Sequence, residues 1–324
     1  MRPALLGGLL ALAAGLSAAV PALAQDNYPS RPIRIIVPFS PGGAFQTLIQ
    51  ILEPAVEPRL GQRLVADYRP GAGGAIGARA VIQSAADGYT LMLHSSSIGI
   101  NQVLTPGIDF DARTAFKPIS NLAFSPFALV AHKDVPTRSL QELVAWSKAN
   151  PGKLNVGSSG IGTTSHIASE LMKQSLGLQA QHVPYKGSGP VITAIRTGEV
   201  QLTMEFPNNV RQHVDTGFVR FLAIAAPTRD KNVPDVPTFA EAGFPRVELG
   251  AWLALFAPAQ TSDAIADKLN AAFVGATRDP QVVEKLQKIG YQAIGSTRAQ
   301  LGELLASDIA RFGAVVKSAN IKAE

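Results

Sequence analysis

The sequence predicts an α/β protein built from two doubly wound sheets of mainly parallel strands. Short apolar runs rich in β-branched residues alternate with helical segments along the chain, a pattern typical of parallel sheets. Two of these strands run through glycine-rich loops straight into helices. Neither a repeat nor a low-complexity linker divides the chain, so we expect two half-domains that share crossing strands.

The alternation can be followed from the first apolar run onwards. We predict strands at residues 33–37, 63–66 and 89–93, with helices at about 45–60 and ending near 85. The second run has predicted strands at 127–131, 154–156, 182–185, 201–205 and 221–226, and helices at 139–149, 164–176 and 190–197. The remainder has a strand near 252–257 and helices near 262–277, 280–288 and 297–318.

The chain is expected to cross between two domains near residues 123–128 and 222–227. Domain 1 then comprises residues 25–125 and 226–324, and domain 2 comprises residues 126–225. The chain is long enough for two domains of ordinary size. Ligands of such sheets bind beyond the carboxyl ends of the strands, which is where the glycine and serine clusters fall.

The N-terminus has the layout of a secretory signal peptide, predicted to span residues 1–24. Met1-Arg-Pro is a basic start, residues 4–20 are almost entirely apolar, and Ala22-Leu-Ala24 fits a small-x-small cleavage site. An uncleaved anchor is the alternative, but the apolar part is short for a membrane span and a cleavage site follows at once. We therefore expect a periplasmic protein.

Composition excludes several functional classes. The 324 residues include no cysteine, which excludes disulfides and cysteine chemistry. The formal net charge of +5 comes without a dense Lys/Arg run, so nucleic acid is not an expected partner. The five histidines are scattered singly and give no metal-ligand spacing. We expect a monomer without metal or cofactor.

The first glycine-rich loop follows the predicted strand at 33–37. A strand that turns through glycines into a helix presents unpaired N–H groups at the positive end of the helix dipole, and these bind anions. Its candidate ligand-binding residues are Phe39, Ser40, Pro41, Gly42, Gly43, Ala44, Phe45 and Gln46.

The second glycine-rich loop follows the predicted strand at 154–156 and adds hydroxyl groups. His166 lies at the helix start, where an imidazole can donate to a carboxylate. The candidates here are Ser158, Gly160, Gly162, Thr163, Thr164 and His166. Further candidates near strand ends are Ser95, Tyr185 and Glu205. Two such sites on two halves of one chain predict a clamp for a small molecule with acidic groups.

An enzyme is the alternative interpretation. Ser158 or Ser159 with His166 could form the Ser–His pair of an exported hydrolase. No Gly-x-Ser-x-Gly elbow, His-Glu-x-x-His or Walker motif is present in the sequence. Residues 69–77 look like a nucleotide-binding loop, but Ile76 stands where the third glycine is required. We therefore predict binding without catalysis.

Six motifs occur in order along the chain. They are Val37-Pro-Phe-Ser-Pro-Gly-Gly43, Arg69-Pro-Gly-Ala-Gly-Gly74, Asp87-Gly-Tyr-Thr-Leu91, Gly160-Ile-Gly-Thr-Thr-Ser-His166, His182-Val-Pro-Tyr-Lys-Gly187 and Pro234-Asp-Val-Pro-Thr238. In these motifs the chain resembles the Bug family, the extracytoplasmic solute-binding receptors of the tripartite tricarboxylate transporter type. The resemblance implies a two-domain periplasmic binding protein fold of type II-like form. It also implies two loops that hold carboxylates, and transient contact with membrane transporter subunits or a sensor kinase.

Three positions depart from the family pattern. Gln46 stands where the family usually has Asp, Phe45 adds an aromatic ring, and Glu205 lengthens what is commonly Asp and is followed by Phe206. Without the carboxylate of that Asp, the first loop repels an anionic ligand less. We hypothesise a ligand with an apolar or aromatic body and at least one carboxylate, within a range that runs from di- and tricarboxylates to aromatic carboxylates.

Overall fold

The computed structural model describes residues 28–39, 41, 43–71, 74–105 and 107–322. The predicted signal peptide at 1–24 therefore lies outside the described residues. The strands of the described part are β1 (Ile33–Val37), β2 (Leu64–Tyr68), β3 (Thr90–Ser95), β4 (Phe116–Pro126), β5 (Ala128–His132), β6 (Leu154–Ser158), β7 (Ala180–Pro184), β8 (Leu202–Glu205), β9 (Val219–Ile224), β10 (Gly250–Pro258) and β11 (Gln292–Ala293).

Helices fill the segments between most of these strands. They are α1 (Gly43–Leu60), α2 (Ala75–Ile82), α3 (Ser97–Leu104), α4 (Ala112–Ala115), α5 (Leu140–Ala149), α6 (Thr164–Leu176), α7 (Ser188–Thr197), α8 (Pro207–Asp215), α9 (Asp263–Thr277), α10 (Pro280–Lys288) and α11 (Arg298–Ser318). None of the helices in the described ranges combines the length and the apolar character that a membrane crossing requires.

The strands form two mixed sheets. The first has the order β11-β4-β10-β3-β1-β2, and the second has the order β7-β6-β8-β5-β9. In the first sheet β10 and β11 run opposite to the other four strands, and in the second only β5 does so. The prediction of two mainly parallel sheets is confirmed.

Each sheet is covered by helices on both faces. Successive side chains of a strand point to opposite faces of the sheet, so neighbouring residues pack against different helices. In β1, Ile35 packs in one cluster with α1, α9 and α10, whereas its neighbour Ile36 packs in another with α2 and α11. In β5, Leu129 packs with α5 and α6, and Val130 packs with α7 and α8. Both sheets are therefore doubly wound, as predicted.

Three backbone segments meet where the two sheets join. The chain enters the second sheet through Phe127, between β4 and β5. The N–H of Phe127 donates to the carbonyl of Leu249 (3.1 Å), the N–H of Leu249 to Ala225 (3.0 Å), and the N–H of Ala225 to Phe127 (2.8 Å). These three residues form a closed cycle of backbone hydrogen bonds, which we call the junction ring.

Helix α11 spans both halves of the molecule. Leu301 and Leu305 pack on the first sheet, whereas Phe312 and Val315 belong to the core of the second. The amide of Gln174 in α6 donates to Ser318 at the end of α11 (2.9 Å). Helix α11, which comes later in the chain than the junction ring, is thus a further connection between the two halves.

Element prediction succeeded where apolar periodicity is strong. The predicted helices at 164–176 and 280–288 match α6 and α10 at both ends. Most of β4, the helices α3, α4 and α8, and the short β11 were not predicted. Helices α3, α4 and α8 span eight, four and nine residues, which is shorter than the window of about 11–18 residues over which helical periodicity is read.

Candidate functional site

A cleft of about 430 Å³ lies between the two sheets. Residues that follow the carboxyl ends of β1, β3, β6 and β8 line it, as expected for this class of sheet. Its lining comprises Phe39, Phe45, Ser95, Ser97, Asn101, Phe127, Ser159, Ile161, Gly162, Thr163, Thr164, Ser165, Ser188, Glu205, Phe206 and Ala251. The two glycine-rich loops predicted from sequence therefore approach the same cavity from opposite sheets.

The loop between β6 and α6 is held by its own hydroxyl groups. Thr163 is the N-cap of α6, and its side chain accepts the N–H of His166 (3.3 Å) and donates to the carbonyl of Gly160 (2.7 Å). The backbone N–H of Ser159 donates to the hydroxyl of Ser165 (2.9 Å). These bonds direct the first turn of α6 at the cleft, where Thr164 adds a further hydroxyl.

Gly162 gives this loop its sharp turn. Its φ of +72° lies in the left-handed region, and a Cβ atom there would lie 2.4 Å from Cδ2 of Leu104. A side chain at this position would combine backbone strain with a steric clash. The glycine is therefore required for the loop geometry.

Two stacked histidines support the loop from behind. The N–H of Gly162 donates to Nδ1 of His166 (3.1 Å), and the His166 ring stacks on His182 with centroids 3.8 Å apart. Nε2 of His182 lies 2.6 Å from the hydroxyl of Ser158. Burial lowers the pKa of each histidine to about 4. Both rings are therefore neutral at pH 7, as the acceptor role of His166 requires.

The same histidines and Glu170 could be considered as metal ligands. One ligand atom of each of His166, Glu170 and His182 lies within 4.8 Å of the others. However, Oε1 of Glu170 already accepts from the ammonium of Lys173 at 2.7 Å. The imidazole planes are only 6° from parallel, so their in-plane lone pairs do not converge on one point. The arrangement fits a hydrogen-bonded support for the loop better than a cation site.

The side of the cleft formed by the first sheet presents an aromatic surface. Phe39 stacks on Phe45 with ring centroids 4.7 Å apart. The ring of buried His94 meets Phe39 in a T-shaped arrangement, with centroids 5.3 Å apart. Burial lowers the pKa of His94 to about 4. Beside these rings the hydroxyls of Ser95 and Ser97 share a hydrogen bond of 2.8 Å. This side offers apolar surface and neutral polar groups.

A second aromatic pair lies on the other side. Phe127, at the junction ring, stacks on Phe206 with centroids 4.4 Å apart and planes 19° from parallel. Both rings pack against the core of the second sheet. The cleft thus has a stacked phenylalanine pair on each side.

Glu205 is the only ionisable residue among the described residues that line this cleft. It is 1% exposed, and its Oε1 accepts from the N–H of Phe206 (2.8 Å) and the amide of Asn209 (3.1 Å). Burial raises the pKa of this carboxyl, and the donors Phe206 and Asn209, together with the nearby hydroxyl of Ser188, oppose the rise. Its other oxygen, Oε2, is buried without a hydrogen-bond partner in the described part of the chain.

The predicted site residues do not all reach the cleft. Those that line it are Phe39, Phe45, Ser95, Gly162, Thr163, Thr164 and Glu205. Ser158 and His166 lie behind the loop between β6 and α6, and Gly160 lies in that loop, where its carbonyl accepts from Thr163. The Tyr185 hydroxyl donates to Glu199 (2.7 Å) and is not among the lining residues.

The other described candidates of the first loop are not among the lining residues of this cleft. Ala44 lines a neighbouring cavity of about 350 Å³, which shares Phe206 with the cleft. Gly43 and Gln46 lie in the first turn of α1, and Pro41 is exposed before it. Ser40 and Gly42 lie outside the described residues.

Sequence reasoning missed several lining residues. They are Ser97, Asn101, Phe127, Ser159, Ile161, Ser165, Ser188, Phe206 and Ala251. Ser97 and Asn101 are four residues apart on α3, a helix that was not predicted, and this spacing places them on one face. Phe127 lies between two strands, where no local pattern marks a binding residue.

The predicted hydrolase pair does not form. Ser158 is fully buried, and its hydroxyl lies within hydrogen-bond distance of His182 rather than His166. A buried hydroxyl behind the loop does not reach a substrate in the cleft. Ser159 faces the cleft, but its hydroxyl lies within hydrogen-bond distance of Thr163 and Ser165.

Comparison with known proteins yields one family. The family model described as "Tripartite tricarboxylate transporter family receptor" matches residues 49–321. Protein BugT of Bordetella pertussis is 35% identical over 317 residues, which cover 97% of this chain and 96% of BugT.

Two similar solved structures contain organic acids. MatC from Rhodopseudomonas palustris, with bound malate, is 31% identical at a TM-score of 0.71, and the match covers 89% of this chain and 100% of MatC. A second R. palustris protein, solved with adipate, is 30% identical at a TM-score of 0.75 and is matched over 91% of this chain and 99% of its own.

Proposed function

Since this chain belongs to the tripartite tricarboxylate transporter receptor family, we propose that it captures a small carboxylate-bearing metabolite in the cleft between its two sheets. It is a solute-binding protein and not an enzyme. The observation that carries the proposal is the start of α6, where Thr163, Thr164 and Ser165 line the cleft. The N–H groups in the first turn of a helix lack partners within the helix. The Thr163 side chain takes that of His166, so the N–H groups of Thr164 and Ser165, with the hydroxyl of Thr164, are the ones that suit a carboxylate.

The bound acids of the two R. palustris proteins support a carboxylate ligand. Malate and adipate are both small enough for a cleft of about 430 Å³, which lies within the usual size of ligand sites. The ligand range for this chain runs from such dicarboxylates and tricarboxylates to aromatic carboxylates. Uptake through membrane transporter subunits, or reporting to a sensor kinase, is the proposed use.

Calorimetric titration with a panel of acids tests the proposal. The panel includes malate, adipate, citrate and benzoate, and at least one is expected to bind without being consumed. A matching acid present at a hundred times its Kd should stabilise the protein by about 2.7 kcal/mol. If no acid binds and native mass spectrometry finds none on the purified protein, the proposal fails.

A matched pair of variants locates the carboxylate. Thr164→Val removes a hydroxyl at the cleft with little change in shape, and it should weaken acid binding about tenfold. Thr193→Val makes the same change on exposed α7 and should leave the Kd unaltered. Equal effects of the two would place the acid elsewhere.

The proposed location is the periplasm, reached by cleavage after Ala24, and the proposed state is a monomer. The proposed domains close by hinge motion about the segments that join the sheets. Phe239 and Leu249 pack in the core of the second sheet, which supports a return crossing near Leu249 rather than at residues 222–227. N-terminal sequencing of exported protein checks the cleavage site.

A further inference from the structure

The unpaired oxygen of Glu205 marks an incomplete part of the cleft. Oε1 has two donors, whereas Oε2 is buried without a partner in the described residues. Buried polar atoms in folded proteins nearly always have partners, and an unpaired one is unfavourable, the more so when it is charged. Ser188, whose hydroxyl favours the charged form of Glu205, lines the same part of the cleft. A ligand group that donates a hydrogen bond here would complete the site.

Charge favours a donor over a second carboxylate. Among the described residues that line the cleft there is no Lys, Arg or His, so Glu205 has no cationic partner there. A second carboxylate on the ligand could bind here only if it or Glu205 carried a proton, because two carboxylates without a cation do not both ionise in a poorly solvated place. A hydroxyl or an amino group would act in the same direction as the donors from Phe206 and Asn209.

The aromatic pairs indicate the body of the ligand. The Phe39–Phe45 pair and the Phe127–Phe206 pair line the cleft from its two sides. Ring faces and edges of this kind attract another ring more strongly than the burial of its apolar area alone would. A short aliphatic diacid would leave much of this apolar surface uncovered.

We propose that the ligand is an aromatic monocarboxylate whose ring also carries a hydroxyl or amino group that donates to Glu205. The carboxylate lies at the start of α6, the ring lies between the phenylalanine pairs, and the donor reaches Glu205 directly or through Ser188. This inference rests on the proposed function and narrows its ligand class.

The first experiment compares matched ligands by titration calorimetry at pH 7.5. The probes are benzoate, its 3- and 4-hydroxy and 3- and 4-amino derivatives, and the diacids isophthalate and terephthalate. At least one hydroxy or amino derivative should bind tenfold or more tightly than benzoate, and both diacids should bind more weakly than benzoate. Titration in two buffers of different ionisation enthalpy should show more proton uptake with any diacid that binds than with the donor ligands. A diacid favours the neutral form of Glu205, whereas a hydrogen-bond donor favours its charged form.

The second experiment uses Glu205→Gln, which keeps the shape and replaces an acceptor oxygen with a donor amide. The advantage of the hydroxy and amino derivatives over benzoate should fall below threefold, and terephthalate or isophthalate should bind about tenfold more tightly than to the unchanged protein. Glu199→Gln removes the same charge from an exposed position outside the cleft and should change none of these values. Thermal unfolding of both variants checks that they are folded. If Glu205→Gln does not fold, the ligand series on the unchanged protein decides alone.

The outcomes separate this inference from the proposed function. Tight binding of malate or adipate with none of the benzoates would overturn the inference and leave the carboxylate receptor standing. Binding of benzoate with no gain from any donor group would also overturn the inference alone. Failure of every acid to bind would overturn both.

Discussion

The two sides of the cleft are built from similar strand–loop–helix units but differ in chemistry. The first-sheet side presents Phe39, Phe45 and a pair of hydroxyls, and none of its described lining residues is ionisable. The second-sheet side carries the hydroxyl-rich start of α6 and the buried carboxyl of Glu205. The first side therefore supplies a surface for the ligand's body, whereas the second side distinguishes its polar groups. Selectivity should respond to changes on the second side more than on the first.

The largest effect should come from the backbone of the second side. Gly162→Val places a β-branched residue at a φ of +72°, with Cβ 2.4 Å from Leu104, and the loop must shift. Strain of this kind costs about 1–3 kcal/mol, and displacement of the N-terminus of α6 should weaken acid binding about 100-fold, or about 2.8 kcal/mol. Calorimetric titration measures it. Gly217→Val, at a similar φ of +77° but with no atom within 4 Å of its Cβ, is the matched control outside the cleft, and a loss of similar size there would contradict the prediction.

Acid should destabilise the protein through the histidines of both sides. Burial lowers the pKa of His94 on the first side, and of His166 and His182 on the second, from 6.5 to about 4. Between these values the unfolded chain binds protons that the folded protein does not, so the free energy of unfolding falls as the pH falls from about 6.5 to about 4. The unfolding constant should rise up to about tenfold per pH unit for each histidine.

Urea unfolding at pH 7 and pH 5 measures this loss of stability, and equal stability at the two pH values would contradict the prediction.

The two sides of the cleft differ in where protonation acts. Glu170 and Lys173 face the His166–His182 pair, and protonation of Nδ1 of His166 removes the acceptor for the N–H of Gly162. Hydrogen exchange at Gly162 should therefore accelerate in acid. In His94→Gln this acceleration should persist, because His94 does not contact that loop.

A smaller effect should follow from the aromatic surfaces. Phe45→Leu and Phe206→Leu each keep apolar volume but remove one ring of a stacked pair. Each should weaken binding of an aromatic acid roughly fivefold, corresponding to about 1 kcal/mol of ring–ring interaction. Binding of cyclohexanecarboxylate, which has no aromatic ring, should change less than twofold. An equal loss for both acids would show that the rings act only through packing.

The smallest effect should come from the hydroxyls of the first side. Ser97→Ala removes the partner of Ser95 (2.8 Å) but leaves the start of α6 intact. We expect the Kd for the best acid to change less than threefold by calorimetry. A loss of tenfold or more would mean that the two sides share the recognition of polar groups.

Local sequence signals predicted the fold better than the site. The helices at 164–176 and 280–288 could be delimited because their apolar periodicity and N-caps are clear. Glu205 and Thr164 could be selected because both follow strand ends. Ser158 and His166 follow a strand end too, yet the alternation of side chains and the helix turn direct them behind the loop. Phe127 depends on where two strands from distant parts of the chain meet, which no local pattern encodes.

The junction ring gives Phe127 two simultaneous roles. Its side chain lines the cleft, while its N–H and carbonyl hold Leu249 and Ala225. Next to the ring, Pro126 pairs with Gly250 across the strands β4 and β10, and a Cβ atom at Gly250 would overlap the carbonyl of Ser125 and the ring of Phe124. The two crossing segments therefore pack closely here, and only a residue without a side chain fits at position 250. Under the hinge motion proposed above, a ligand that displaces the Phe127 ring acts on the backbone bonds of the crossing itself, which couples occupancy of the cleft to the arrangement of the two halves.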